Sequence, residues 1–283
     1  MPDMAQNAIQ VDLSGRSAYV TGGSRGIAAA IATALARNGA RVAFNFSPEA
    51  DAAAGKTQAA EQLLAELGAE GCAIPADMSD PAVARSAAEA ALDRLGQVDI
   101  LVLSASVQVH RPILEMSMDD IDRQLRMNIA ANIATLQAVI PRMRRSGYGR
   151  IISIGSVQEQ VPSQEMPVYS MTKSALENLV RNLAVENAPY GITANNIAPG
   201  LIQTDRNAFR RADMAVWNRL ARNANPMGRA GQPENVVGAA LFLASDAASF
   251  VTGTTIHVTG GSHIARNMND LINTETANAR QAG

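Results

Sequence analysis

The sequence is poor in cysteine and histidine, which form disulfides and bind metals, and it has no long apolar run of the kind that spans a membrane. It has one cysteine, Cys72, which cannot form an intramolecular disulfide, and three histidines, His110, His257 and His263, too scattered for a metal motif. No apolar run approaches the ~20 residues that span a bilayer. The opening MPDMAQNAIQVDLSG lacks the basic start and apolar core of a signal peptide. We therefore expect a soluble cytoplasmic protein with no bound metal and no membrane partner.

The chain also has no large excess of charge of either sign. The chain has 24 basic and 26 acidic residues and a net charge of −2, whereas a nucleic-acid binder is expected to carry a basic field. Hydrophobic residues make up 47% of its 283 positions, enough to bury a sizeable core. No shift in composition marks a domain boundary, so we predict one domain over residues 1–283.

Short apolar runs alternate with helical stretches along the whole chain. The runs predicted as strands are SAYV, ARVAFNF, GCAIPAD, VDILVLSA, GRIISIGS, GITANNIAPG and GTTIHVTGG. This alternation is typical of a sheet covered by helices on both faces. It predicts an α/β fold, a doubly wound, Rossmann-like domain with a seven-stranded, mainly parallel sheet. We expect residues 1–13 to be a loose lead-in, 201–229 a lid over the substrate, and 263–283 a tail.

A glycine-containing turn, TGGSRGIA (21–28), joins the first strand to the first helix. Glycine there permits a tight turn, lets a phosphate approach the backbone and leaves helix amides pointing at it. Any strand-to-helix turn can require glycine, but this position predicts a dinucleotide site.

The end of the second strand bears on the choice of cofactor. An acid that grips the ribose of NAD is expected about twenty residues after the turn, but the strand ends in Asn45-Phe46-Ser47, with no acid until Glu49. Arg25 in the turn could instead meet the 2′-phosphate of NADP, or could simply be solvated. NADP is thus the preferred cofactor, with NAD possible.

Tyr169 and Lys173 stand four residues apart in a helical stretch, VYSMTKSALENLV. Residues at this spacing lie on one helix face. A nearby cation lowers the pKa of a phenol, which would make Tyr169 a usable general acid/base. A chance YxxxK on an amphipathic helix is the alternative.

The glycine turn, a strand ending in serine and YxxxK on the next helix together resemble the short-chain dehydrogenase/reductase family. The likeness covers about residues 13–262, and Ser156 precedes Tyr169 by 13 residues, as the family's catalytic serine commonly does. The resemblance implies hydride transfer between a nicotinamide and a carbon bearing a hydroxyl or carbonyl. Tyr169 would then move the hydroxyl proton, and Ser156 would hydrogen-bond the substrate oxygen. Lys173 would lower the Tyr169 pKa and hold the nicotinamide ribose, with Asn128 supporting a proton relay.

The resemblance also implies which residues contact the cofactor. Asp77 would touch the adenine amino group, and the loop that begins at Pro199-Gly200 would meet the nicotinamide carboxamide. Other roles stay open: a polar helix residue for Asn128, a turn acid for Asp77 and a strand-end hydroxyl for Ser156. The full set is Thr21, Gly22, Ser24, Arg25, Gly26, Ile27, Phe46, Ser47, Asp77, Met78, Ser104, Ala105, Tyr169, Lys173, Pro199, Gly200, Ile202 and Thr204.

Two positions depart from the family pattern. Ala28 stands where the glycine motif usually ends in glycine, and its methyl could narrow the phosphate site. Leu103-Ser104-Ala105-Ser106 replaces the family's Asn-Asn-Ala-Gly after the fourth strand. We expect the cofactor site to be retained with altered detail.

The loops 107–112, 157–167 and 201–229 are the candidates for substrate contact, since α/β sheets bind ligands at the carboxyl ends of their strands. His110 is a candidate for the substrate mouth, although a surface histidine is the alternative. The loops' polar side chains favour a sugar or polyol substrate. A 3-oxoacyl thioester is the alternative, and a non-catalytic dinucleotide sensor is the rival of a different class.

The helix that carries Tyr169 bears an apolar set that in the family packs between subunits. From it we expect a homotetramer or homodimer. The set is Leu176, Leu179, Val180 and Leu183.

Overall fold

In a computed structural model that describes residues 11–264, seven strands form one sheet in the order β3-β2-β1-β4-β5-β6-β7. Every neighbouring pair is parallel, so the predicted seven-stranded fold is confirmed and the described sheet is parallel throughout. The strands are β1 (Ser17–Val20), β2 (Arg41–Phe46), β3 (Cys72–Pro75), β4 (Ile100–Leu103), β5 (Gly149–Ile154), β6 (Ile192–Pro199) and β7 (Thr255–Val258).

The helices of the described chain connect these strands. They are α1 (Gly26–Arg37), α2 (Pro48–Ala53), α3 (Ala59–Leu67), α4 (Pro81–Leu95), α5 (Met118–Leu125), α6 (Ala131–Ser146), α7 (Pro167–Asn187), α8 (Met214–Ala224) and α9 (Glu234–Ala244). Local signals set many ends: Asp80 caps α4 just before Pro81, and Gly147 ends α6 in the left-handed conformation.

Two helical segments differ from the sequence prediction. The pattern of SMDDIDRQLRMNIAANIATLQAVIPRM predicts one long helix, but a π-helical turn at Arg126–Ala130 separates α5 from α6. The short helix α2 was not predicted; the Ser47 side chain caps it by accepting a bond from Ala50 N. Turns of the π type concentrate at functional sites, and this one contains Asn128.

Helices bury both faces of the sheet, and successive residues of each strand point to opposite faces. Val20 and Val102 belong to a core cluster with residues of α1 and α9. Tyr19 and Leu101 belong to a second cluster, with residues of α4, α6 and α7. Val180 and Leu183 of the α7 apolar set lie in this second cluster, and Leu179 packs against it. Leu176, Val180 and Leu183 are 2%, 2% and 7% exposed.

That packing corrects the assignment of the α7 set to a subunit interface, since these side chains fill the protein's own core. The predicted tail, apart from residues 263 and 264, and most of the predicted lead-in lie outside the described residues; Leu13, at the lead-in's end, is in the core. None of the helices described has the length and apolar character to cross a membrane.

Candidate active site

Tyr169 and Lys173 occupy one face of α7, at the carboxyl end of β5. Tyr169 is 6% exposed and Lys173 is 2% exposed. The Lys173 ammonium donates a 2.7 Å hydrogen bond to the carbonyl of Ile154, the last residue of β5, and lies 5.6 Å from the centre of the Tyr169 ring. A buried cation needs such a partner, so α7 is fixed in register against the strand end.

Ser156 follows β5 and faces the same site. Its hydroxyl accepts a bond from Gln158 N at 3.2 Å and interacts with the Tyr169 hydroxyl. Its amide donates to Glu159 Oε1 at 2.9 Å, while Asn196 Nδ2 donates to Glu159 Oε2 at 2.9 Å. Glu159 was not singled out from the sequence, although the spacing S-x-x-E is that of a capping box.

Asn128 is fully buried in the π-helical turn. Its Oδ1 accepts from Val107 N at 2.8 Å, and its Nδ2 donates to Val107 O at 2.9 Å and to Thr172 Oγ1 at 3.0 Å. These bonds hold Asn128 inside the protein, and its part in a proton relay stays a prediction. Asn128 joins the loop after β4 to the residue that precedes Lys173.

Burial dominates the ionisation of the site. Burial raises the pKa of Tyr169, with the Arg206 guanidinium and the Ser156 hydroxyl acting in the opposite direction. Burial lowers the pKa of Lys173 to about 7, and the charge of Arg206 acts in the same direction. In the protein alone the pKa of Tyr169 is thus raised and not lowered, because desolvation disfavours the charged phenolate.

The glycine turn is tied to the loop after β4 by a buried hydroxyl. Thr21 Oγ1 accepts from Ser104 N at 2.9 Å and from Ala105 N at 3.1 Å. Gly22 N donates to Asn45 Oδ1 at 3.1 Å, and Asn45 is 1% exposed. Asn45, noted in the sequence only because it is not acidic, therefore shapes the turn.

The turn suits the pyrophosphate of a dinucleotide. Gly22 and Gly26 have φ values of +64° and +58°, which other residues adopt only under strain. Arg25 precedes α1 without a side-chain cap, which leaves first-turn amides available to an anion. A side chain at Gly26 would meet Thr204 Cγ2 at 3.4 Å, so the turn and the 199–204 loop form two sides of one cleft.

A buried acidic residue, Asp51, contacts two residues of the glycine turn. Arg25 Nε is 2.7 Å from Asp51 Oδ1, which also accepts from Ser24 Oγ at 3.0 Å. Asp51 is 3% exposed. Glu49 is the first acid after β2 in the sequence, and Asp51 was not recognised. Helix α2 was not predicted, so the side of that helix that faces the core could not be assigned.

The other predicted cofactor residues occupy both walls of the cleft. Asp77 is exposed and accepts two bonds from Ser79, as expected of the turn acid left open above. Met78 is buried against the loop that contains Ala105. Beyond β6, Gly200 N donates to Val258 O at 3.0 Å. Phe46, Ser47, Ile27, Pro199 and Ile202 lie at the ends of β2 and β6 or at the start of α1, and Ile202 pairs with Gly231.

Comparisons with known proteins agree with this geometry. The family model described as enoyl-(acyl carrier protein) reductase matches residues 22–263. L-Rhamnose 1-dehydrogenase (NAD(P)(+)) of a Sphingomonas species is 32% identical, over 89% of this chain and 98% of its own length. The 3-oxoacyl-[acyl-carrier-protein] reductase of Escherichia coli is 34% identical over 90% of this chain and 100% of its own. The NADP-bound 3-oxoacyl (acyl-carrier-protein) reductase of Agrobacterium tumefaciens superposes with a TM-score of 0.82 at 38% identity, covering 91% of this chain and 99% of that one.

The chain belongs to the short-chain dehydrogenase/reductase family. It is an NAD(P)-dependent oxidoreductase that acts on hydroxyl or carbonyl groups.

Both departures from the family pattern are accommodated. Ala28 is 3% exposed and its methyl lies in the core cluster shared by the sheet and α1, so core packing absorbs it. The altered segment after β4 keeps its backbone amides on Thr21 and places Ser106 where it accepts from Arg206. The side chains of this dehydrogenase site differ from the family pattern at these positions, while the backbone amides after β4 still bond to the glycine turn.

Glu159 gives a test of the site's electrostatics through stability. Burial raises its pKa from 4.5 to about 7, so the folded protein binds this proton more tightly than the unfolded chain. The free energy of unfolding should therefore fall as pH rises from about 4.5 to about 7. Glu159→Gln should flatten that slope in urea unfolding measured across the window, whereas Glu61→Gln on the exposed face of α3 should not. Parallel pH dependences for Glu159→Gln and the native protein would contradict this assignment.

Proposed function

We propose that this dehydrogenase prefers NADP and interconverts a secondary alcohol and its ketone, with a sugar or polyol as the substrate class. The observation that carries the proposal is the convergence of Ser156, buried Tyr169 and buried Lys173 on one cleft. The same cleft is bounded by the uncapped start of α1. A proton-transfer group and an anion-binding site thus border the same cleft.

The cofactor would lie along the carboxyl edge of the sheet. The amides at the start of α1 would hold its pyrophosphate, Asp77 and Met78 would flank the adenine, and Thr204 and Pro199-Gly200 would meet the carboxamide. When bound, the nicotinamide supplies the hydride chemistry of the reaction.

Proton movement belongs to the side chains of this protein. In alcohol oxidation the Tyr169 oxygen takes the hydroxyl proton as the carbinol carbon loses its hydride, and in ketone reduction it returns the proton. Ser156 donates a hydrogen bond to the substrate oxygen. Lys173 holds the ribose and supports the phenolate, and Asn128, through Val107 and Thr172, keeps the surrounding loops in place for a proton relay.

The surroundings of Arg25 support a preference for NADP. Its Nε lies 2.7 Å from Asp51 Oδ1, while its terminal nitrogens donate no hydrogen bond to residues 11–264. Asp51 Oδ2 is enclosed within the protein, so it does not face a ribose hydroxyl. Asp51 thus orients Arg25, whose planar guanidinium suits a phosphate.

The substrate class follows from the loops and from the relatives. Gln108, Gln158 and His110 provide hydrogen-bonding groups at the mouth, which suits a hydroxylated substrate, and one relative acts on a sugar by its name. A 3-oxoacyl thioester is the alternative that the reductase relatives favour. A dinucleotide sensor would have no need of the intact Ser156, Tyr169 and Lys173.

We also propose that residues 201–229 form a lid and that the protein assembles as a homotetramer or homodimer in the cytoplasm. The lid segment contains α8, whose Trp217 is 3% exposed. Val185 on α7 is 81% exposed and Phe250 is 100% exposed, and such residues are suited to subunit contacts. The free thiol of Cys72 supports a reducing compartment.

The general acid/base assignment is tested by Tyr169→Phe. The variant should bind NADPH as the native protein does, while turnover falls by about 10²- to 10⁴-fold. Nicotinamide fluorescence measures binding and nicotinamide absorbance measures turnover. Tyr190→Phe, at an exposed position just beyond the carboxyl end of α7, is the matched control. Retained turnover in Tyr169→Phe would remove Tyr169 from the mechanism.

The cofactor preference is tested by Arg25→Gln. Loss of a charge-assisted bond should raise the Kd for NADPH about ten- to a hundredfold and leave the Kd for NADH nearly unchanged. Arg37→Gln at the other end of α1 removes the same charge away from the cleft. Equal weakening of both nucleotides, or a native preference for NADH, would exclude the 2′-phosphate role.

A further inference from the structure

Arg206 reaches from the lid segment to the centre of the site. It lies in a 3₁₀ helix at Asp205–Arg211, and its guanidinium donates to Ser106 Oγ at 3.0 Å and to Ser106 O at 2.8 Å. The two neighbours of Ser106 in the chain, Ala105 and Val107, are bonded to Thr21 and Asn128. Arg206 is therefore held against the same loop that borders the cofactor and catalytic residues.

The charge of Arg206 is not balanced by the protein around it. Arg210 lies 3.7 Å from a carboxylate oxygen of Glu165, and Arg211 donates to Thr204 O and Asn207 Oδ1. Arg206 is exposed. No carboxylate of the described chain comes within 4 Å of it, and Ser106, like the partners of Arg211, offers it only neutral acceptors. A guanidinium positioned in a cleft by neutral groups remains available to an anion.

Burial dominates the pKa of both Tyr169 and Lys173, and the positive charge of Arg206 acts to lower both values. The buried acid nearby, Glu159, is already bonded to Ser156 and Asn196. A ligand anion on Arg206 would offset the repulsion between the two cations and favour protonated Lys173.

We propose that Arg206 binds a carboxylate of the substrate, which makes the substrate a 2- or 3-hydroxy acid, such as a sugar acid, or the corresponding oxo acid. This inference rests on the proposed oxidoreductase function and narrows its substrate class. Ser106 holds Arg206 on the loop that Asn128 joins to Thr172 of α7, so a carboxylate bound there would lie close to the reacting carbon. In oxidation that carbon would lose its hydride to the oxidised nicotinamide and its hydroxyl proton to the Tyr169 oxygen, and the carboxylate would be unchanged.

The test compares acids with neutral analogues on the full-length protein. Turnover with NADP⁺ is measured for aldonates against alditols of the same chain length, and for 3-hydroxybutanoate against 3-hydroxybutanamide. The native protein should favour the acid in the pair it accepts. Arg206→Gln should lower kcat/KM for the acid about ten- to a hundredfold and change kcat/KM for the neutral analogue less than about threefold.

Two further variants and one binding measurement make the result specific. Arg206→Lys, which keeps the charge and loses the planar pair of donors, should recover part of the activity on the acid. Arg219→Gln, an exposed position on α8, removes the same charge from the same segment and should match the native protein. NADPH binding followed by fluorescence should be the same in Arg206→Gln and native protein.

Three results would overturn the proposal. Preference of the native protein for neutral substrates would exclude a carboxylate, and equal losses on acid and neutral substrates would give Arg206 a structural role at Tyr169. Weakened NADPH binding in Arg206→Gln would make Arg206 a cofactor ligand. If the native protein bound neither nucleotide, or bound one and turned over no alcohol or ketone of either kind, the proposed oxidoreductase function itself would fail, which separates the two claims.

Discussion

The parallel arrangement of the sheet is the constraint from which the site follows. Parallel neighbours must be joined by crossovers, so every strand delivers its carboxyl end to the same edge. β1 therefore places the glycine turn, β4 places Ser104 and Ala105, and β5 places Ile154 and Ser156 along one line. Because both faces are buried in separate apolar clusters, this edge is held rigidly, and small side chains can set its detail.

Buried polar side chains turn that edge into a defined cleft. Thr21 and Asn128 accept from backbone amides of the loop after β4, and Glu159 accepts from Ser156 N in its own turn, so these segments cannot move without leaving polar groups unsatisfied. Near Tyr169, by contrast, the positive charge of Arg206 has no carboxylate partner among the described residues. A buried phenol with a raised pKa and a buried lysine with a lowered pKa lie beside an unbalanced arginine. Such a site gains most from anionic ligands, which is the chemistry that a phosphate-bearing cofactor and an acidic substrate bring.

The sequence predicted what depends on local pattern and on order along the chain. Strand alternation led to the fold, and the positions of the glycine turn, Ser156, Tyr169 and Lys173 led to the centre of the site. Asp51 and Asn45 were not recognised, because each acts through a partner distant in sequence, at Arg25 and Gly22 respectively. The α7 apolar set was assigned to the wrong surface for a related reason: periodicity shows that a helix has an apolar face, and only the tertiary structure shows what that face meets.

The central claim is that the glycine turn and the Tyr169 face of α7 form one dinucleotide site. Titration of the purified protein with NADPH and with NADH, followed by nicotinamide fluorescence, tests it most directly. The account predicts saturable binding of NADPH, tighter than that of NADH, because the amides of α1 would hold the pyrophosphate and the Arg25 guanidinium would meet the 2′-phosphate. Absence of binding by either nucleotide would contradict the account, since it would mean that the cleft does not hold a dinucleotide.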